Sequence, residues 1–121
     1  MIVLNVVPMG KPRMVRSDSW RKRPSVLKYW EYKDKLVEQA ELHNIIIGDT
    51  LENIIFVLPM SKSWSNKKKE LFNGKPHQEK PDIDNLIKAF LDCLCKEDKN
   101  LHTLNNIKKV WGYEGHIILT S

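Results

Sequence analysis

The chain has 121 residues, with 20 Lys and Arg against 15 Asp and Glu, for a formal charge of +5. That length makes one domain, and 41% hydrophobic with 29% charged residues excludes collagen-like and wholly disordered chains. No apolar run approaches the ~20 residues that a bilayer-spanning helix needs, so no membrane partner is expected.

In chain order, residues 1–7 are predicted as a first strand by their β-branched run; no basic stretch precedes them, so they read as a strand rather than a signal peptide. Pro8-Met9-Gly10-Lys11-Pro12 carries turn chemistry, and residues 9–25 are basic and irregular, with Trp20 among them. Pro24-Ser25 reads as a helix entry with Ser25 as N-cap. Val26, Tyr29, Trp30, the Lys33 stem, Leu36, Val37 and Ala40 then recur at helical spacing to about residue 42. Ile45-Ile46-Ile47 fits a strand or a helix end. After a turn at Gly48-Asp49, residues 53–58 read as a strand.

Residues 61–72 predict a short helix capped by Ser63, with a basic face at Lys67, Lys68 and Lys69, ended by Asn73-Gly74. A third helix is predicted from about 84 to 94 on the stripe Leu86, Ile87, Phe90, Leu91 and Leu94. Residues 106–110 and 115–120 read as the last strands, joined as a hairpin through Gly112-Tyr113-Glu114-Gly115. The order predicts one α+β domain over residues 1–121, a mixed or antiparallel sheet packed by about three helices. Cys93 and Cys95 are too close for an ordinary disulfide and lack the second pair of a zinc site, so they read as two packed or idle thiols.

The charge is uneven. Residues 11–35 hold nine basic and three acidic side chains, residues 62–80 six and two, and residues 80–98 four of the seven aspartates. A basic surface suits a polyanion, and aspartates within it repel that polyanion unless a cation sits between them. Pro81 cannot lie inside the following helix, so Asp82-Ile83-Asp84 reads as extended chain, both carboxylates on one side and Ile83 toward the core. Two close carboxylates repel each other, and a divalent cation removes the conflict; oxygen-only ligands suit magnesium or manganese. Lys88, four residues after Asp84, is placed to pair with it or to reach a phosphate oxygen, and Glu97-Asp98 offers a third carboxylate. The residues alone also allow a plain reading: Asp84 an N-cap, Lys88 half of a surface pair, Asp98 a loop acid. The four histidines, at 43, 77, 102 and 116, have no ligand spacing, and His77 reads as a surface or packing residue or a DNA contact.

Pro81-Asp82-Ile83-Asp84-Asn85-Leu86, with Lys88 and Asp92 following, resembles the motif of the RusA family of Holliday junction resolvases, in its phage and prophage branch. Glu97-Asp98-Lys99-Asn100-Leu101 resembles the acidic pair beyond the helix. Pro8-Met9-Gly10-Lys11-Pro12-Arg13-Met14, then Trp20 and Tyr29-Trp30, resemble the family's opening, and Lys109-Val110-Trp111-Gly112 its closing strand. Two departures stand out: the acidic pair begins with Glu97 rather than aspartate, and the loop from Asp92 to Asp98 is shorter than in the bacterial branch.

The resemblance implies a RusA-like fold with Asp82, Asp84 and Asp98 binding magnesium and Lys88 near the scissile phosphate, these four being the catalytic set. It implies supporting roles for Asp92, fixing the helix or a neighbouring backbone, and for Asn85 at the helix start. The implied activity is paired phosphodiester cleavage of four-way junctions in DNA recombination and repair. The implied enzyme is a homodimer in the cytoplasm of a bacterial host cell, encoded by a phage or prophage. The expected DNA contacts are Lys11, Arg13, Arg16, Arg21, Lys22 and Arg23, together with Lys67, Lys68 and Lys69; Trp20 and Trp64 either wedge against bases or pack internally. The competing readings are a less selective nuclease for branched DNA, a junction-binding protein without cleavage, and a regulatory or packaging-associated protein that binds duplex without magnesium.

Overall fold

The computed structural model describes residues 1–13, 23–95 and 100–120. The first strand, β1, covers only Ile2–Leu4. It stops short of residue 7 because the chain bends at Val6, whose N–H donates to the Leu4 carbonyl at 2.9 Å, and Pro8 has no N–H to continue a ladder. Helix α1 spans Pro24–Leu42. Pro24 rather than Ser25 sets its start: extended Arg23 takes the N-cap position, and proline in the first turn loses no hydrogen bond there. The buried stripe runs Val26, Tyr29, Tyr32, Leu36, Ala40. Tyr32 stands where Trp30 was expected, and Trp30, ~100° round the helix from Tyr29, is 55% exposed.

Ile45-Ile46-Ile47 is neither strand nor helix end. Asn44 turns the chain at a φ of 55°, Ile45 and Ile47 pack against the core, and Ile46 faces outward. Strand β2 then runs Thr50–Pro59. Helix α2 spans Asn66–Phe72 and is capped by Ser65, whose Oγ accepts from the Lys68 N–H at 3.2 Å. Ser63, the expected cap, instead shares a 2.7 Å hydrogen bond with Ser61 in the preceding turn. Gly74, at a φ of 82°, ends the helix in the left-handed conformation that glycine adopts without strain. Helix α3 covers Ile83–Leu94, and the last strands are β3, Thr103–Gly112, and β4, His116–Thr120.

The four strands form one mixed sheet in the order β1-β4-β2-β3. β2 and β3 are parallel, with Ile54 opposite Ile107 and Phe56 opposite Lys109; a parallel pair needs a long crossover, which α2 and α3 supply. β4 runs antiparallel to both β1 and β2. The expected hairpin between β3 and β4 is therefore not formed, because β2 lies between them. The run Ile54-Ile55-Phe56-Val57-Leu58 is too apolar for an edge, whereas β3 carries Asn105, Asn106 and Lys108 and suits one. Residues 112–115 cross over the end of β2, and a side chain at Gly112 would collide with Val57.

Helices α1 and α3 cover one face of the sheet. Leu36, Tyr32, Leu86 and Phe90 pack there on Leu4, Ile54, Phe56, Leu58 and Ile117, and Phe90 meets Phe56 edge to face at 6.2 Å. Both cysteines are free and half-buried. Among the described residues, no helix is long and apolar enough to cross a membrane.

Candidate active site

The apolar stripe of α3 draws the chain into helix from Ile83 onward, so the extended segment ends at Asp82 and does not run through Asp84. Asp82 is the N-cap, at φ −68° and ψ 149°, and Asp84 sits in the first turn. Ile83 is the first helical residue and is 38% exposed rather than turned into the core. Lys88 follows Asp84 by about one turn on the same side of α3. Asp82, Asp84 and Lys88 are all exposed, and among the described residues none of their charged groups has an ion-pair or hydrogen-bond partner, so the Asp84–Lys88 pair is not made. The Asp82 carboxylate does not even accept the helix N–H groups that an N-cap aspartate ordinarily takes.

The surroundings explain how this helix end is held. Asn85 Nδ2 donates to the Lys11 carbonyl at 3.2 Å, and the Lys11 ammonium lies 2.9 Å from the Asp92 carboxylate. Asn85 and Asp92 thus tie the segment at Lys11 onto α3. Lys11, expected to meet DNA, pairs with Asp92 in this structure. Gly10 lets the segment lie this close: a Cβ there would stand 2.3 Å from Asn85 Nδ2 and 3.4 Å from Pro81 Cβ. From the other side, Lys109 Nζ donates to the carbonyls of Glu79 and Pro81, the latter at 2.9 Å, immediately before Asp82. Lys109 was not among the expected site residues. Its signal was positional: it shares a strand face with Ile107 and Trp111, and a lysine on the side facing the helices has an internal acceptor to reach.

The expected DNA contacts divide into several groups. Arg13 is exposed, and its carbonyl accepts from Arg23 Nη2 at 2.6 Å, a bond between the two described residues that flank the basic stretch. Arg16, Arg21, Lys22 and Trp20 lie outside the described residues, as do Glu97 and Asp98. On α2, Lys67 and Lys68 are exposed and Lys69 is half-buried; the Lys68 ammonium sits 4.0 Å over the Trp64 ring. Trp64 packs internally, its ring 4.9 Å from that of Trp111 and 5.5 Å from that of Phe72. His77 is a packing residue, 5% exposed; its ring lies 4.2 Å from Trp111 and its Nδ1 has no hydrogen-bond partner among the described residues. Burial, and then the neighbouring Lys109 ammonium, hold the His77 imidazole below its ordinary pKa, so it is neutral at pH 7.

Among the described residues no three His, Cys, Asp or Glu side chains converge. The two carboxylates at the start of α3 nonetheless fit a hard divalent cation in their chemistry: their donors are all oxygen, and among the described residues no cation neutralises them. Two exposed carboxylates with a lysine one turn away, on a basic chain, are the parts needed to bring a cation and a phosphate together. The family model for endodeoxyribonuclease RusA matches residues 4–117. Among curated proteins, none matches the sequence.

Proposed function

The chain belongs to the RusA endodeoxyribonuclease family, and from that premise we propose that it is a magnesium-dependent, structure-selective endonuclease that resolves four-way DNA junctions by paired phosphodiester cuts. The observation that carries the reading is the uncapped Asp82 carboxylate beside Asp84 and Lys88, all exposed at one end of α3. In this reading Asp82 and Asp84 hold the cation, Asp98 completes the set, and manganese serves as an alternative. Magnesium held by these carboxylates would supply an activated water and screen the charge of the phosphate. Lys88 neutralises the charge that builds on the phosphoryl group during in-line attack, and it is free to do so because Asp84 does not bind it. Asn85, Asp92 and Lys109 fix the backbone from which the carboxylates project. The cut leaves a 5′-phosphate and a 3′-hydroxyl. A four-way junction has approximate two-fold symmetry, so two matched cuts call for two copies of the chain, a homodimer.

The test is cleavage of a labelled synthetic four-way junction beside a linear duplex of the same sequence, in magnesium and in EDTA. Symmetric cuts in the junction alone, lost in EDTA, are expected. Cleavage of flaps and forks as readily as junctions makes the protein a general branched-DNA nuclease. Tight junction binding without cutting overturns the catalytic reading.

A further inference from the structure

A cleft of about 470 Å³ has a lining that includes Pro8, Trp64, His77, Glu79, Lys80 and Trp111. That volume is in the range of small-ligand sites. Its chemistry does not suit a phosphate. The one lysine of the lining is offset by Glu79, and His77 is uncharged. It does suit a flat, neutral, heteroaromatic ring. Trp64 and Trp111, packed on each other with ring centroids 4.9 Å apart at a 53° tilt, line the cleft with half-buried aromatic surface, and His77, 95% buried, carries in that lining a neutral ring whose Nδ1 has no partner among the described residues. Glu79, exposed at the rim, has no ion-pair partner among the described residues and suits an exocyclic amino group.

We propose that this cleft receives one unstacked nucleobase of the cleaved strand, a reading that rests on the nuclease function above. Lys80 lines the cleft two residues before Asp82. Two residues span at most ~7 Å, or roughly two stacked nucleotide steps of about 3.4 Å. The captured base is therefore next to, or one removed from, the phosphate that is cut. Stacking on the tryptophans and the His77–Glu79 edge make the cleft a specificity site that favours a base carrying an amino group at that position.

The experiment removes bases from the DNA rather than side chains from the protein. Four-way junctions carrying a single abasic residue at each of the positions flanking the cut are titrated with the wild-type protein in calcium for binding, and cut in magnesium for rate. One position is expected to lose about 5- to 150-fold in affinity, the range for a single base–aromatic stack, and its neighbours little. Trp64→Ala is expected to show the same loss on the intact junction and no further loss on the abasic one, with a circular dichroism spectrum like that of the wild type. A flat abasic scan with junction cleavage intact overturns the cleft assignment alone, as does an abasic loss that Trp64→Ala leaves undiminished. Wild-type protein that neither binds nor cuts the junction overturns the nuclease reading and this inference with it.

Discussion

At the start of α3, Asp82 leaves unmade a hydrogen bond that an N-cap aspartate ordinarily makes with the first turn of its helix. Forgoing it costs the helix on the order of 1 kcal/mol and keeps the carboxylate clear for another occupant. Asparagine has the same reach and caps as well, so Asp82→Asn separates the two uses of this position. Cleavage of the junction is expected to fall to background, while the thermal midpoint stays level or rises and junction binding by gel shift is kept or tightened, since one negative charge facing the phosphates is gone. Residual turnover near the wild-type rate would remove Asp82 from the metal set. Lys88 makes the complementary case. Its side chain is exposed and has no partner among the described residues, so Lys88→Ala leaves no buried partner stranded there and is expected to change stability by less than about 0.5 kcal/mol. The cleavage rate is expected to drop by roughly 10²- to 10³-fold, the usual loss when one group that stabilises transition-state charge is removed. Single-turnover kinetics at saturating enzyme reads this directly, and an unchanged rate would return Lys88 to the solvated surface.

The elements carry these side chains only because several distant segments hold the start of α3 in place. Lys109 on β3 donates to two carbonyls in the chain that enters the helix, and Asn85 and Asp92 hold the segment at Lys11 against it. Replacing Lys109 with methionine keeps the stem and deletes the charged donor. Unfolding by denaturant is expected at about 1.5–3 kcal/mol lower stability, and the magnesium concentration for half-maximal cleavage is expected to rise. Lys109→Arg should recover part of both; a stability loss with no change in magnesium requirement would make Lys109 purely structural. This arrangement also shows which parts of the molecule the sequence made readable. Helix α3 and β2 announced themselves through local patterns, a 3.6-residue apolar stripe and a continuous apolar run. The central acidic residues were found because Pro81 and that stripe bracket them, although the helix begins at Ile83 and not a residue later. What escaped were choices decided across the fold. A four-residue link between two strands looks like a hairpin until β2, with its apolar run, claims the place between them. Trp30 and Tyr32 are exchanged between surface and core because both fit a stripe of the same period and only packing against the sheet chooses. Lys11 reads as a phosphate contact from its basic neighbours, and only the approach of α3 reveals its carboxylate.

For the whole molecule, the charge map divides into groups that face outward and groups already spent within the fold. The net charge of +5 attracts a polyanion from any direction. Specific contact requires lysines and arginines whose counter-ions are the solution ions that DNA binding releases. Each phosphate neutralised in this way contributes about 0.9 to the negative slope of log K against log salt on duplex DNA. Arg16 and Arg21 belong to the basic stretch of the sequence between Arg13 and Arg23. Neutralising both as Arg16→Gln and Arg21→Gln is therefore expected to weaken junction binding and to flatten the slope by about 1.8. Lys11→Gln removes the same formal charge from the chain, yet its ammonium already faces Asp92 at 2.9 Å, so the slope is expected to hold while the carboxylate site loosens and the cleavage rate falls. Fluorescence anisotropy of a labelled junction across a range of salt concentrations distinguishes the two. A slope that drops by about 0.9 in Lys11→Gln would mean that DNA displaces Asp92 as its partner. The segment at Lys11 would then be released from α3 when the substrate binds, and the tie seen here would belong to the free protein.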